Sequence, residues 1–266
     1  MIRQPTLYVP HGGGPCFFMK EPMGGAGTWD RMAEWLRGIE ASLPEKPKAL
    51  LVISGHWEER IPTVMTSPKP PLLYDYSGFP PETYQLKWDA PGSPELAERV
   101  RGLLKEAGIE SAADETRGFD HGVFIPLKVA WDAPTIPTIQ LSLRAGLDPA
   151  EHLAIGRALA PLRDEGVLIV GSGMSYHNMR GFLSPQGHEA SLQFDRWLTQ
   201  AVSEDSAKRD DALKAWSKAP AARASHPREE HLLPLMVVAG AGGGDRGRTV
   251  FSDEVLGVKV SAVRFG

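Results

Sequence analysis

The chain has 266 residues, a formal net charge of −4 at pH 7, 42% hydrophobic residues and 23% charged residues. This is ordinary globular composition, and it offers no basic field that would attract nucleic acid or an anionic membrane surface. The single cysteine, Cys16, excludes an intramolecular disulfide, the first residues contain no apolar leader, and no apolar stretch is long enough to span a bilayer. We therefore expect a single cytoplasmic domain over residues 1–266.

Five short apolar runs predict strands, because unbroken runs of this kind suit strands that are buried on both faces. The runs are 6–10, 49–54, 135–143, 166–173 and 257–266. Amphipathic stretches between them predict helices at 30–43, 93–108, 148–166 and 189–204. This alternation predicts an α/β fold with a mainly parallel central sheet and helices on both faces. The glycine-rich segment 240–247 is expected to be a turn.

A segment rich in proline and aromatic residues, 62–94, interrupts this alternation. It predicts a long ordered loop with one short strand at 83–88, and long loops in compact domains are usually functional or disordered. The aromatic content argues against disorder. Its aromatic side chains either wall a planar substrate or pack the loop onto the core; they include Tyr74, Tyr76, Phe79 and Tyr84.

A histidine, His11, ends the first predicted strand and is followed by three glycines and a proline. Either the glycines only form a tight turn, or they leave room for a bulky ligand held by the histidine. Gly13, in the middle of the three, is then a candidate for contact with substrate.

The other histidines bear on this choice, because ligand sites in open α/β sheets lie beyond the carboxyl ends of the strands. His56 and His177 follow two further predicted strands, and His121 precedes a predicted helix. His226 and His231 are expected at the cap and one turn inside a helix that starts near Pro227. Neutral imidazole suits zinc, iron and copper. We predict a metal site at this rim from some of these six histidines, unless each merely caps or packs locally.

Two further expectations concern residues near the predicted helices. His152 and His188 have charged or polar neighbours and are expected on the surface. Pro234 is expected inside the last helix, where it would kink the chain and tip Glu230 and His231 toward the metal.

Six segments in order resemble the class III extradiol ring-cleavage dioxygenases of the 4,5-DOPA dioxygenase type, which are similar to the B subunit of protocatechuate 4,5-dioxygenase. The segments are HGGGP, SGHWE, YDYSGFPPETYQLKWDAPGSPELA, DHGVFIPL, GSGMSYHN and HPREEHLLPL. They run from about residue 6 to about residue 240. The first segment is one residue longer before its proline than in many relatives, which bears on the width of the pocket mouth.

The resemblance implies an extradiol dioxygenase that inserts both atoms of O₂ into a catechol at one mononuclear iron(II) or zinc(II) ion per chain. It implies His11 and His56 as ligands, with His231 as the third and Glu230 as the fallback. His177 matches the acid–base histidine, although a ligand role stays open, and His121 matches a second histidine of the pocket. Tyr76, Phe79, Gly13 and His226 are the expected substrate contacts. The small catechol and O₂ are the expected partners, with no nucleic acid and no membrane.

Two other functions are compatible with the same residues. One is a zinc-dependent hydrolase or lyase that uses these ligands without O₂. The other is a non-enzymatic relative that binds a metal or a peptide, although such a protein has no need for both His121 and His177. The sequence does not predict the oligomeric state or which catechol is the substrate.

Overall fold

The computed structural model describes residues 2–266. One sheet contains the strands β1 Thr6–Pro10, β2 Ala49–Glu59, β3 Thr63–Met65, β4 Ala112–Asp114, β5 Thr138–Arg144, β6 Val167–Gly173, β7 Gly247–Val255 and β8 Val258–Phe265. The helices are α1 Asp30–Arg37, α2 Ile39–Ser42, α3 Pro94–Glu106, α4 His121–Ala130, α5 Pro149–Leu159, α6 Pro185–Ser203, α7 Ser206–Lys214, α8 Ala222–Ser225 and α9 Leu233–Gly242. None of the described helices is both long and apolar enough to cross a membrane.

The strand order is β4-β3-β5-β2-β6-β1-β8-β7. The four central strands β5, β2, β6 and β1 are parallel neighbours, while β8 and β7 add an antiparallel edge. The predicted α/β fold with a mostly parallel sheet is therefore confirmed. Since β2, β6 and β1 are adjacent and parallel, their carboxyl ends lie side by side at one edge of the sheet.

Helices cover the two faces of the sheet through different strand residues. On one face, Thr6 Oγ1 donates to the Val238 carbonyl of α9 at 2.7 Å. Gly171 and Gly173 lie on the same face, where a Cβ at Gly171 would overlap the backbone of Pro234 in α9 and one at Gly173 the backbone of His231 just before it. On the other face, the Ser172 hydroxyl donates to the Gly122 carbonyl of α4. The glycines of β6 therefore let the start of α9 approach the sheet closely.

Several predicted boundaries differ from the observed ones. Strand β2 runs past residue 54 to Glu59, and its register against β5 shifts between Ile53 and Glu58. The predicted strand at 83–88 is wrong: Pro81–Gln85 forms a 3₁₀ turn, because Pro81 fixes a helical φ at its start. The sequence missed β3 and β4, which have three residues each, and β7, a partly exposed edge strand.

The prediction of a kinked helix at Pro234 is wrong. Residues 227–232 form turns and α9 begins only at Leu233, so Pro234 occupies the first helical turn, where its missing N–H costs nothing. The surface prediction for His152 is also wrong. Its ring is fully buried; Nδ1 donates to the Asp148 carbonyl at 2.7 Å, and Nε2 accepts from the Arg144 amide at 3.1 Å.

Two buried arginines hold the carboxyl end of α9, whose last carbonyls have no partner within the helix. Arg163 donates to the carbonyls of Ala241 and Gly242 at 3.1 and 3.0 Å and to the Gln4 carbonyl at 2.7 Å. Arg209 donates to the Gly243 carbonyl at 2.9 Å. A guanidinium satisfies several acceptors at once and complements the negative end of the helix dipole.

We predict that Arg163→Met lowers the free energy of unfolding by about 3 kcal/mol or more, because it leaves several buried carbonyls without a donor. Chemical denaturation followed by circular dichroism measures this. Arg157→Met is the matched control, since Arg157 makes only a half-exposed ion pair with Asp210 and should cost less than about 1 kcal/mol. Equal effects of the two variants would contradict the role given to Arg163.

Candidate active site

Three imidazole rings converge at the carboxyl edge of the central strands. His56 Nε2 lies 3.3 Å from His11 Nε2 and 3.2 Å from His231 Nε2. His11 and His231 are buried, and His56 is partly exposed. The structure therefore brings together the three histidines that the sequence analysis named as metal ligands.

Each ring is positioned by backbone that belongs to the sheet or packs on it. The His11 amide donates to the Gly173 carbonyl at 3.1 Å, which extends the pairing of β1 with β6. His56 lies where the register of β2 shifts against β5, and such irregularities often redirect side chains beside active sites. The His231 carbonyl accepts from the Tyr8 hydroxyl at 2.7 Å and from the Met174 amide at 3.2 Å.

Hydrogen bonds on the far side of two rings fix their tautomers. His11 Nδ1 lies 2.9 Å from the Gly12 carbonyl, and His231 Nδ1 lies 2.9 Å from Glu230 Oε1. Because a carbonyl and a carboxylate only accept, both Nδ1 atoms carry the proton and both Nε2 atoms present lone pairs to His56. A single N–H on His56 Nε2 can donate to only one of these two lone pairs, so hydrogen bonds among the three rings leave at least one contact unsatisfied.

A metal ion fits these three nitrogens. Two ligands of a tetrahedral ion with metal–nitrogen bonds of about 2.0–2.1 Å lie roughly 3.3–3.4 Å apart, close to the separations of the Nε2 atoms. Burial lowers the pKa of His11 and His56, as do the neighbouring imidazoles, and it lowers the pKa of His231 to about 4. The rings are therefore neutral at pH 7, the state in which imidazole binds a metal.

A carboxylate, Glu230, lies behind His231 and also contacts His177. Its Oε1 is 2.9 Å from His231 Nδ1 and 3.2 Å from His177 Nδ1, and these two rings stack with centroids 3.4 Å apart. Burial alone would raise the pKa of Glu230, but hydrogen bonds from the two histidines hold it well below its usual value. Glu230 is thus on the side of His231 away from His11 and His56, where it orients rings and does not face the other two nitrogens.

A second carboxylate, Asp75, holds His121. Its Oδ1 accepts from both the backbone amide and Nδ1 of His121, each at 2.8 Å. The ring of His121 lies against that of His56, with centroids 3.9 Å apart. The sequence analysis missed Asp75, although a carboxylate inside the aromatic YDYSGFP segment was an available signal.

A cavity of about 510 Å³ opens over the histidines. His11, His56, His121, His177 and His231 line it, together with Asp75. Gly13, Tyr76 and Phe79, the expected substrate contacts, also line it. Five of the six histidines that the sequence analysis grouped are therefore on one wall.

His226 is separate from this group, which corrects its expected contact with substrate. Its ring is fully buried between Phe194 and Trp216, and Nε2 donates to the Ser175 carbonyl at 2.9 Å. Tyr74 and Tyr84 likewise do not line the cavity. Tyr74 donates to the Leu86 carbonyl at 2.5 Å and packs on Phe124. These two tyrosines pack the long loop, the simpler of the two roles considered for them.

The glycines after His11 have a steric role. Gly12 and Gly14 have φ values of +85° and +54°. A Cβ on Gly14 would lie 2.9 Å from Phe79 Cζ, and one on Gly13 would point at Met23 and Trp29. The run therefore turns the chain under the cavity and lets Phe79 lie directly against the backbone.

The sequence matches the family described as the catalytic LigB subunit of aromatic ring-opening dioxygenase over residues 5–263. The chain belongs to this family. As a member, it is an extradiol ring-opening dioxygenase, an oxidoreductase, which confirms the resemblance inferred from the six segments. LigB dioxygenases use a non-haem metal, an aromatic substrate and O₂.

Individual relatives of the chain also carry the names of extradiol dioxygenases. It is 43% identical to 4,5-DOPA dioxygenase extradiol of Beta vulgaris, over 77% of this chain and 76% of the relative. It is 42% identical to the protein of the same name from Portulaca grandiflora, over 79% of this chain and 77% of the relative. A crystal structure of an uncharacterised Escherichia coli K12 protein superimposes with a TM-score of 0.80 at 28% identity, covering 99% of this chain and all of the other.

We predict that Gly14→Ala destabilises this LigB protein by about 1–3 kcal/mol more than Gly108→Ala, because the new methyl group meets Phe79. Gly108 is the matched control: its φ is +74° and nothing lies within 4 Å of the Cβ position, so only backbone strain remains. Thermal unfolding of both variants, with and without Phe79→Leu, measures the difference. If Phe79→Leu does not reduce it, the contact is not the cause.

Proposed function

We propose that the chain opens a catechol ring on the extradiol side at a single non-haem metal ion bound by His11, His56 and His231. The observation that carries this proposal is the position of His56 Nε2, 3.3 Å from His11 Nε2 and 3.2 Å from His231 Nε2, at the floor of a cavity flanked by two histidine–carboxylate pairs. The whole chain is proposed to act as one catalytic domain.

The metal is proposed to be iron(II) or zinc(II), one per chain. Three histidines on one side leave the positions toward the cavity free, as catalytic sites require. When bound, such an ion lowers the pKa of a catechol hydroxyl and holds catechol and O₂ next to each other. Glu230 is proposed as the group that orients His231, in place of the fallback ligand role.

His177 is proposed as the acid–base residue. Its Nδ1 faces the ionised Glu230 carboxylate, so the proton sits on Nδ1 and Nε2 is free to accept one from a catechol hydroxyl. Glu230 then stabilises the imidazolium that forms, and the proton can return to the opened product. A carboxylate that holds a catalytic histidine in one tautomer has this effect in other enzymes.

His121 is proposed to act on the opposite side. Asp75 fixes its orientation through Nδ1, so its Nε2 edge is directed away from the loop, where a protonated ring can donate to an oxygen that becomes negative. Tyr76, Phe79 and Gly13 are proposed to contact the planar ring of the substrate. Asp75 is a positioning residue in this scheme, since it touches His121 and not the reacting atoms.

We predict that His11→Ala, His56→Ala and His231→Ala each lower bound metal well below one per chain, because two remaining imidazoles hold an ion poorly. Metal analysis of protein reconstituted with iron(II) or zinc(II) and then desalted measures this. His188→Ala is the control, since this histidine has a 41% exposed side chain outside the cavity. His152 would be a poor control, because its loss disturbs a buried hydrogen-bonding site. Full metal retention in His11→Ala would refute the proposed ligand set.

We predict that the iron(II)-loaded chain opens catechols only with O₂, and that His177→Ala keeps its metal while losing about 10²–10⁴-fold in rate. Product absorbance with O₂ and under argon, alongside metal analysis, measures both effects. Turnover of these compounds under argon, or a zinc-loaded chain that hydrolyses them, would favour the hydrolase or lyase. Loss of metal in His177→Ala would instead make this residue a ligand.

A further inference from the structure

We infer that the substrate carries an uncharged, apolar substituent on its catechol ring, such as an alkyl or aryl group, and not a carboxylate. This inference rests on the proposed function and adds the substrate class to it. It follows from two features of the cavity above the histidines: the absence of lysine and arginine from its wall among the described residues, and the presence of an exposed apolar rim.

Among residues 2–266, no lysine or arginine lines this cavity. Asp75, the only carboxylate among the described residues that line the cavity, is hydrogen-bonded to His121, so it repels a second carboxylate and offers it no partner. Removing a carboxylate from water without a partner is costly, and sites for such groups normally supply an arginine or a lysine. The described residues that line this cavity include no such arginine or lysine.

Nearby arginines are paired with carboxylates or do not line the cavity. Arg228 Nη1 and Nη2 bind Glu58 at 2.5 and 2.6 Å, and Arg31 binds Asp253 at 2.6 Å. Arg180 follows Met179 in the chain, but it is exposed and does not line the cavity. An experiment therefore has to exclude Arg180 as a partner for a carboxylate on the substrate.

The rim of the cavity consists of exposed apolar side chains. Met23, Met179 and Leu183 line it with 41%, 66% and 73% of their surface exposed. They are three of the five large hydrophobic residues that are exposed in the described part of the chain. Scattered exposed apolar residues need no explanation, but a cluster at the mouth of one cavity marks a binding surface.

The backbone holds this rim in an unusual conformation. Leu183 has a φ of +58° and Leu256, which also lines the cavity, has a φ of +50°. The Leu183 amide donates to the Leu256 carbonyl at 2.8 Å, which ties the two segments together. Left-handed conformations are costly for leucine and are kept where the surrounding structure imposes them, often at ligand sites. Here the exposed side chain of Leu183 lies at the mouth of the cavity, while the buried Leu256 belongs to the two-residue turn between β7 and β8.

A matched pair of probes tests the inference: 4-butylcatechol and 4-(3,4-dihydroxyphenyl)butanoate, which differ mainly in the terminal charge. We expect kcat/KM of the iron(II)-loaded chain to be at least about tenfold higher for 4-butylcatechol. From 4-methyl- to 4-butylcatechol it should rise about two- to fourfold per methylene, as burial of CH₂ predicts. Equal or greater kcat/KM for the butanoate would overturn the inference.

Charge variants locate the effect. Leu183→Lys should reduce the preference for the neutral probe by about tenfold, while Ile2→Lys, which adds the same charge at a 54% exposed site before β1, should not change it. Arg180→Gln should leave both probes unaffected. A selective loss of butanoate turnover in Arg180→Gln would show that this arginine receives a carboxylate, and it would overturn the inference.

Binding under argon separates this inference from the proposed function. Titration calorimetry of the iron(II)-loaded chain with each probe should give at least about tenfold tighter binding of 4-butylcatechol, whether or not the ring is later opened. If neither probe is opened in air, the proposed function fails, and the calorimetry still decides the inference. If both are opened but bind equally, the inference fails and the proposed function stands.

Discussion

The close approach of the chain before α9 to strand β6 is the constraint on which the site depends. Gly171 and Gly173 have no side chains, so the backbone of His231 and Pro234 lies directly on the sheet. The Tyr8 hydroxyl then holds the His231 carbonyl from β1. Without this approach, a residue more than fifty positions beyond β6 could not bring its imidazole within 3.2 Å of His56. Backbone packing thus brings the histidines together, and the chemistry of their side chains depends on that packing.

Two carboxylates orient the imidazole rings by hydrogen bonds on the side of each ring away from the cavity. Glu230 and Asp75 each accept from an Nδ1 atom, so the protons lie away from the cavity and the Nε2 edges of their partners are directed into it. Both carboxylates are compensated by hydrogen bonds, which lower their pKa values despite burial. Of the five imidazoles in the cluster, His11 is oriented by the Gly12 carbonyl, whereas His121, His177 and His231 depend on these two carboxylates for their orientation. The carboxylates therefore make the cluster specific in orientation, which the proposed division between ligands and acid–base groups requires.

Local signals in the sequence predicted much of the fold and of the cluster. Strand β1 and the start of α3 follow from short patterns, and the Ser93 hydroxyl caps α3 by accepting from the Leu96 amide. Non-local packing decided the rest. The continuation of β2 through His56 depends on its pairing with β5, and His226 is buried against α6, which no spacing rule could indicate. Pro234 was misplaced because a proline fits both a kinked helix and a first turn.

The floor and the rim of the cavity are formed by different parts of the chain. Its floor comes from strand ends and from residues that pack on them, where position is fixed by the sheet. Its rim comes from connecting segments, with Met179 and Leu183 between β6 and α6 and Met23 before α1. Loops tolerate change more readily than the elements they connect. Relatives with the same floor can therefore differ in rim, and the ring substituent that each accepts need not follow from the shared family. For this chain, the apolar rim is the more direct evidence on substrate, because it is the surface that the substituent has to contact.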